Sequence, residues 1–115
     1  FLGVHEGPHS ISRKLNNHEL KEGMVVSNEP GYYKKDEYGI RIENLLLVKK
    51  SKFKGFLEFE NLTYFPYEKN LIDMKLLSND HRLWINTYYC LIHQKLNKFL
   101  TKDIRTWLYK KTKRI

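Results

Sequence analysis

Two glutamates and one arginine, Glu29, Glu43 and Arg41, are the residues whose types and spacing could support metal chemistry. Glu29 ends an apolar segment of β-strand character, and Glu43 lies within a second such segment. If the two segments pair as a hairpin, the carboxylates face each other, and facing carboxylates need either a cation or shared protonation. Arg41 would lie on the same face two residues from Glu43 and could hold that carboxylate by hydrogen bonds. The pattern therefore predicts a divalent metal site with oxygen ligands.

An ordinary ion pair is the alternative interpretation of the same residues. Arg41 and Glu43 could pair on a solvated strand face while Glu29 lies in a turn. His5 and His9 flank a Gly-Pro turn, and imidazole is both a common metal ligand and a proton carrier at neutral pH. Because a loop aligns no shared face, their spacing does not by itself make a metal motif. Spacing alone leaves both interpretations open.

The elements that must position these residues begin with a hairpin. Residues 24–29 contain a β-branched pair and predict a short strand, and residues 40–48 begin with apolar and polar alternation and predict a second strand. The polar stretch 32–39 between them predicts a long hairpin loop. A third strand is predicted over residues 56–65, where the alternation returns before Pro66.

Helical periodicity replaces the strand pattern from Ser78 onward. Ser78 or Asn79 would cap a first helix, and a second, shorter helix would start at Thr101. Apolar side chains at spacings of three and four predict the buried stripe of the first helix: Trp84, Tyr88, Leu91, Ile92, Leu96 and Phe99. Antiparallel strands followed by two helices indicate an α+β fold.

The charge balance favours acidic partners, such as nucleic acid, only weakly. Lys and Arg number 21 against 13 Asp and Glu, a net charge of +8, but the positive residues cluster only at the end of the chain, in residues 110–114. Elsewhere Lys is scattered among acids, so a general Lys-rich bias explains the charge better than a nucleic-acid surface does. Nucleic-acid binding stays as the less favoured alternative.

Cysteine use and hydropathy suggest where the protein works. Cys90 is the single cysteine, so no disulfide can form within the chain, which fits a reducing, cytoplasmic setting. The sequence has no run of 18 or more apolar residues and no secretion leader, so we expect no membrane partner. Because the chain starts at Phe1 in an apolar run, we expect that a preceding segment is missing.

Three ordered stretches of this sequence closely resemble successive motifs of Xaa-Pro aminopeptidases. The resemblance continues through residues 56–63 and 71–73 to Trp84 and Trp107, so it covers nearly the whole chain. The three motifs are Phe1-Leu2-Gly3-Val4-His5-Glu6-Gly7-Pro8, Gly23-Met24-Val25-Val26-Ser27-Asn28-Glu29-Pro30-Gly31-Tyr32-Tyr33 and Tyr38-Gly39-Ile40-Arg41-Ile42-Glu43-Asn44.

The resemblance implies a hydrolase of the pita-bread fold that removes an N-terminal residue preceding proline. It implies two divalent metal ions, often Mn²⁺, held by two Asp, one His and two Glu. Glu29 and Glu43 match the glutamates, with Glu43 bridging the metals and Glu29 also handling the proton of the attacking water. His5 matches a histidine that contacts the substrate near the scissile bond. Tyr33 and Arg41 match positions that orient the ligands.

The resemblance also implies that the metal site is incomplete in this chain. The family's metal-binding histidine and two aspartates precede the position of Phe1, so we expect no meaningful activity from the chain alone. Residues 1–66 would form the C-terminal part of the catalytic domain and residues 67–115 a helical extension. Peptides with an N-terminal X-Pro sequence would be substrates, and the intact enzyme would be a homo-oligomer. A non-catalytic pita-bread binding module is the alternative function.

Overall fold

The computed structural model describes residues 7–115. The chain divides between Thr63 and Tyr64 into two compact units, the first made of strands and the second of helices. The strands are β1 (Val25–Asn28), β2 (Gly31–Lys34), β3 (Tyr38–Arg41), β4 (Asn44–Lys50) and β5 (Leu57–Asn61), and the helices are α1 (Asn79–Leu96) and α2 (Lys102–Lys111).

An antiparallel sheet in the order β1-β4-β5 organises the first unit. Val26, Leu46 and Val48 are its buried hydrophobic residues and share one face, because alternate side chains of a strand point to the same side. β2 and β3 pair with each other as a separate antiparallel hairpin. The burial of one sheet face fixes which residues of β1 and β4 point to the other face.

The predicted long loop is wrong, since residues 31–41 fold as the hairpin of β2 and β3. Its turn is short: the Glu37 N–H donates to the Lys34 carbonyl at 3.2 Å, and their side chains form an ion pair at 2.7 Å. Asp36 has a φ of 58°, which Asp tolerates better than most residues. Every residue of β2 and β3 is exposed, so no hydrophobic alternation marks these strands in the sequence.

The predicted strand over residues 40–48 is interrupted at Ile42 and Glu43. The Ile42 N–H donates to the Pro30 carbonyl at 3.1 Å, but Pro30 has no N–H to donate in return. Only one of the two hydrogen bonds of this residue pair can therefore form. Glu43 lies just before β4 rather than inside a strand.

The third predicted strand is confirmed but is shorter, since β5 covers Leu57–Asn61. Beyond it the chain still contacts β4, because the Leu62 N–H donates to the Leu45 carbonyl at 2.9 Å. The next contact uses a side chain: the Leu45 N–H donates to the Thr63 hydroxyl at 2.9 Å. This change from backbone to side-chain acceptor ends the regular ladder.

Both predicted helices are present in the second unit. The Ser78 hydroxyl accepts a hydrogen bond from the His81 N–H at 3.2 Å, so Ser78 is the predicted cap of α1, and α2 follows Thr101. Within residues 7–115, neither helix combines the length and the apolar character that crossing a bilayer requires.

The buried face of α1 is rotated from the predicted stripe. Tyr88 and Ile92 are buried as predicted, whereas Trp84 is 50% exposed, and Phe99, which is 75% exposed, lies beyond the end of α1. The buried cluster of the second unit consists of Ile85, Tyr88, Tyr89, Ile92 and Leu108.

Hydrogen bonds explain why two adjacent tyrosines can be buried on α1. The Tyr88 hydroxyl donates to the Phe65 carbonyl at 3.1 Å, and the Tyr89 hydroxyl donates to the Tyr67 carbonyl at 3.4 Å. A buried hydroxyl needs such a partner, and the segment before the helix supplies it. Apolar spacing alone does not predict that Tyr89 is buried.

Candidate metal centre

One uninterrupted register connects the sheet to the β2–β3 hairpin. The last pair of β1 with β4 is Asn28 with Asn44. The first pair of β2 with β3 is Gly31 with Arg41, three residues further on each side. No residue is inserted on either side of the gap. Continuing the register by one residue from Asn28 and Asn44 places Glu29 opposite Glu43.

The hydrogen bond between Pro30 and Ile42 defines the type of each neighbouring pair. Hydrogen-bonded and non-hydrogen-bonded pairs alternate along an antiparallel ladder, so Glu29 and Glu43 occupy a non-hydrogen-bonded pair. Side chains lie closer together at such a position than at the alternate one. Like charges directly opposite each other destabilise a hairpin, and a compensating positive charge is expected.

Arg41 supplies that charge on the same face. Its Nε lies 3.0 Å from Oε2 of Glu43 and 3.8 Å from Oε2 of Glu29. The Arg41, Glu43 and Glu29 side chains are 48%, 38% and 26% exposed, so the cluster is open to solvent. Ser27 adds a contact that sequence analysis missed, because its hydroxyl donates to Oε1 of Glu29 at 2.8 Å. The signal was available, since Ser27 lies two residues before Glu29 in a strand and so shares its face.

Tyr33 joins the cluster through Arg41. A hydrogen bond with the Tyr33 side chain, followed by the attraction of the Glu43 carboxylate, raises the pKa of Arg41 above its usual value. Because Arg41 stays charged throughout the accessible pH range, the shift leaves its charge unchanged. The structure thus brings together four of the five predicted site residues: Glu29, Glu43, Arg41 and Tyr33.

The fifth predicted residue, His5, lies outside the described residues. His9, which the sequence pattern paired with it, places its Nε2 3.1 Å from the Val25 carbonyl. This contact ties the preceding loop to β1. Within the part of the chain that the structure describes, no three His, Cys, Asp or Glu side chains come together to hold a metal ion. Glu29 and Glu43 therefore remain predicted ligands, and a divalent cation between them would need further ligands.

Residues 55–115 match the family model described as the C-terminal region of peptidase M24, and residues 2–50 match that of metallopeptidase family M24. The chain belongs to the M24 metallopeptidase family. The first match spans more than half of the chain, and the second contains both glutamates.

Relatives within this family are longer proteins. The chain is 45% identical to the protein named "Probable Xaa-Pro aminopeptidase P" of Coprinopsis cinerea, over 97% of this chain and 20% of that protein. It is 42% identical to aminopeptidase P2 of Arabidopsis thaliana, over 97% of this chain and 17% of that protein. The chain thus spans about a fifth of the length of the relatives it matches.

A solved relative shows the fold of this M24 segment. The X-prolyl aminopeptidase of Caenorhabditis elegans, a cytosolic enzyme with a di-nuclear active site, matches 97% of this chain and 20% of its own chain. The two are 33% identical with a TM-score of 0.81. The predicted fold is confirmed: antiparallel strands followed by two helices form the C-terminal part of a pita-bread fold.

Proposed function

We propose that this chain is the part of a metal-dependent aminopeptidase that carries two of its metal ligands, in an enzyme that removes the residue preceding proline from peptide N-termini. The facing pair of Glu29 and Glu43 supports the proposal most strongly, because opposed carboxylates suit a divalent cation held between them. The similarity to proteins named Xaa-Pro aminopeptidases gives the substrate class.

The donor set fits hard divalent cations. Carboxylate oxygens suit Mg²⁺, Ca²⁺ and Mn²⁺, and we propose two Mn²⁺ ions as the native metals. Glu43 would contribute oxygen ligands to both ions and Glu29 to one of them. When bound, such a metal pair lowers the pKa of a water molecule and stabilises negative charge on the substrate oxygen.

The residues of this chain then have separate roles. Glu29 accepts the proton of the attacking water, and the Ser27 hydroxyl holds one oxygen of that carboxylate. Arg41 and Tyr33 orient Glu43 and Glu29 from the same face. His5 contacts the substrate next to the bond that is cleaved.

We also propose that this chain alone has no meaningful peptidase activity. Two exposed carboxylates bind a divalent cation weakly, and the remaining ligands, two Asp and one His, would come from another segment. Residues 1–66 would complete the catalytic domain, and residues 67–115 would form its helical extension. The intact enzyme would be a cytoplasmic homo-oligomer, a location that the cytosolic relative supports.

A chimaera tests the proposed function. This chain replaces the matching segment of the Coprinopsis cinerea relative, and release of the first residue from an X-Pro peptide is measured with added Mn²⁺. We expect activity from the chimaera, none from this chain alone, and none from the chimaera with Glu43→Gln. The same substitution at Glu58, whose partner is Lys49 at 3.3 Å, is the matched control and should leave the activity intact.

Either of two results would contradict the proposal. Activity of the Glu43→Gln chimaera equal to that of the control would remove Glu43 from the site. A folded chimaera that binds Mn²⁺ but hydrolyses nothing would favour the non-catalytic binding module instead.

A further inference from the structure

Two glycines lie in the strands of the β2–β3 hairpin although the backbone does not require them. Glycine weakens a strand, and there it often marks a close approach by another group. Among the described residues, the glycines with positive φ are Gly23 and Gly55, so Gly31 and Gly39 adopt a backbone conformation open to any residue. The need for glycine at these two positions must therefore come from what occupies the space where a Cβ would lie.

The ring of Tyr33 fills that space. A Cβ at position 39 would lie 2.6 Å from Cδ1 of Tyr33, and a Cβ at position 31 would lie 2.8 Å from both Cε2 and the hydroxyl oxygen. Such distances are too short for any real side chain. The register explains the position, because Tyr33 pairs directly with Gly39 while Gly31 lies two residues away on the same face. The aromatic ring therefore lies flat across both glycines.

This placement directs the Tyr33 hydroxyl to Arg41. Gly31 pairs with Arg41, so the hydroxyl end of the ring lies over the residue that faces Arg41 across the hairpin. The Tyr33 side chain raises the pKa of Arg41, whose Nε lies 3.0 Å from Oε2 of Glu43 and 3.8 Å from Oε2 of Glu29.

We propose that Gly31 and Gly39 are positioning residues of the metal centre, forming a flat seat for the Tyr33 ring that directs Arg41 toward the facing glutamates. The inference rests on the proposed function only in assigning a metal to Glu29 and Glu43. The contacts among ring, guanidinium and carboxylate stand independently of it.

The exposure of Tyr33 explains why a seat is needed. The residue is 66% exposed, and hydrogen bonds and ion pairs in solvent are too weak to hold two side chains in one geometry. Removing the Cβ atoms beneath the ring lets it lie against the backbone, which restricts its rotation. A methyl group at either position would push the ring into solvent without disturbing the buried face of the sheet.

The ¹H–¹⁵N signal of the Arg41 side-chain Nε reports the seat directly. In the wild-type chain this signal should differ from those of unconstrained arginines, and Gly39→Ala or Gly31→Ala should move it toward them while the unfolding midpoint changes little. Tyr33→Phe, which keeps the ring and removes the hydroxyl, should have the same effect. Tyr32→Phe makes the identical change on the opposite face of β2 and should leave the Arg41 signal in place.

A double substitution separates the seat from a general effect on the hairpin. In a Tyr33→Ala background no ring remains to be displaced, so adding Gly39→Ala should move the Arg41 signal no further. If the second substitution still moves the signal, or if both single glycine variants leave it unchanged, the seat is disproved. If Gly39→Ala by itself prevents folding, the same substitution is tested in the Tyr33→Ala background. If it folds there, the clash with the Tyr33 ring is the cause. If it prevents folding in both backgrounds, the seat is contradicted.

Metal affinity tests the consequence for the site. Titration with Mn²⁺, followed by broadening of amide signals, should show an affinity lowered on the order of tenfold by Gly39→Ala and unchanged by Tyr32→Phe. If the folded chimaera with the Coprinopsis cinerea relative hydrolyses no X-Pro peptide, the proposed function fails while the Arg41 signal still decides on the seat. A moved Arg41 signal with unchanged Mn²⁺ affinity would overturn the positioning role.

Discussion

Arg41 and Glu43 lie two residues apart along the chain, with 3.0 Å between Nε of Arg41 and Oε2 of Glu43. The relationship matters because Glu43 faces Glu29 across the ladder, and like charges directly opposite each other repel. One guanidinium within 4 Å of both carboxylates offsets that repulsion while leaving the carboxylate oxygens accessible. The cluster can thus form without a metal ion and hold the two carboxylates in place for the proposed one.

Glu43→Gln should weaken Mn²⁺ binding to this chain by more than about tenfold, because it removes the charge of one of two facing ligands. Broadening of amide signals at increasing Mn²⁺ concentration measures the change. Glu58→Gln removes a similar carboxylate from β5 and should leave the broadening around Glu29 unchanged. Equal effects of the two variants would mean that the chain attracts the cation only through its overall charge.

Arg41→Gln should lower the thermal stability of the strand unit in low salt, since it removes the guanidinium that lies within 4 Å of the facing Glu29 and Glu43 carboxylates. Added NaCl should narrow the difference from the wild type, because salt screens both the lost attraction and the new repulsion. Lys34→Gln removes the same charge from an exposed pair with Glu37 and should cause a smaller loss. A deficit that is as large for Lys34→Gln, or that grows with salt, would contradict this account of Arg41.

Sequence alone predicted the facing glutamates correctly because they depend on one continuous register. Any hairpin that pairs the segments around Glu29 and Glu43 without an inserted residue opposes the two side chains, whatever the length of its loop. The loop itself was wrong because β2 and β3 expose both faces, so burial leaves no mark on their composition.

Other parts of the fold depend on contacts that the sequence does not display. Gly39 resembles a turn glycine until the structure shows the Tyr33 ring above it. Likewise, the buried face of α1 turns toward Tyr89 because a carbonyl of the preceding segment accepts its hydroxyl. Both features arise from tertiary partners that residue spacing along the chain cannot reveal.

The ion pair of Glu68 with Lys111 should make the helical unit sensitive to acid. The hydrogen bond from Lys111, at 3.0 Å, and that from the Asn70 N–H lower the pKa of Glu68 below its ordinary 4.5. The unfolded state therefore binds more protons between these two pKa values. The stabilisation is present above 4.5 and is lost as the pH falls through the lowered pKa of the folded state.

Glu68→Gln should therefore reduce the dependence of unfolding on pH in this acid range. Tryptophan fluorescence measures it selectively, because Trp84 and Trp107 both belong to the helical unit. Glu22→Gln, which removes the partner of Lys50 in the strand unit, is the control and should leave the fluorescence transition unchanged. An identical acid profile for Glu68→Gln and the wild type would show that the pair contributes nothing.

Ser78→Ala should destabilise the helical unit by about 1 kcal/mol, because the His81 N–H at the start of α1 loses its acceptor. Ser78→Asn keeps an oxygen acceptor and should retain most of the stability. Denaturant unfolding followed by tryptophan fluorescence measures both variants. If asparagine were as damaging as alanine, the hydroxyl would act through packing rather than as a cap.

Ile92→Ala tests the rotated core of α1 more severely. The Ile92 side chain is fully buried against the cluster that includes Tyr89 and Leu108, so its truncation leaves a cavity. We expect the free energy of unfolding to fall by about 2–5 kcal/mol. Leu83→Ala removes a leucine that is 67% exposed on the same helix and should change stability far less. Truncating a side chain that is exposed to water removes little buried apolar surface. Comparable losses at the two positions would therefore mean that α1 buries a wider face than the cluster around Ile92.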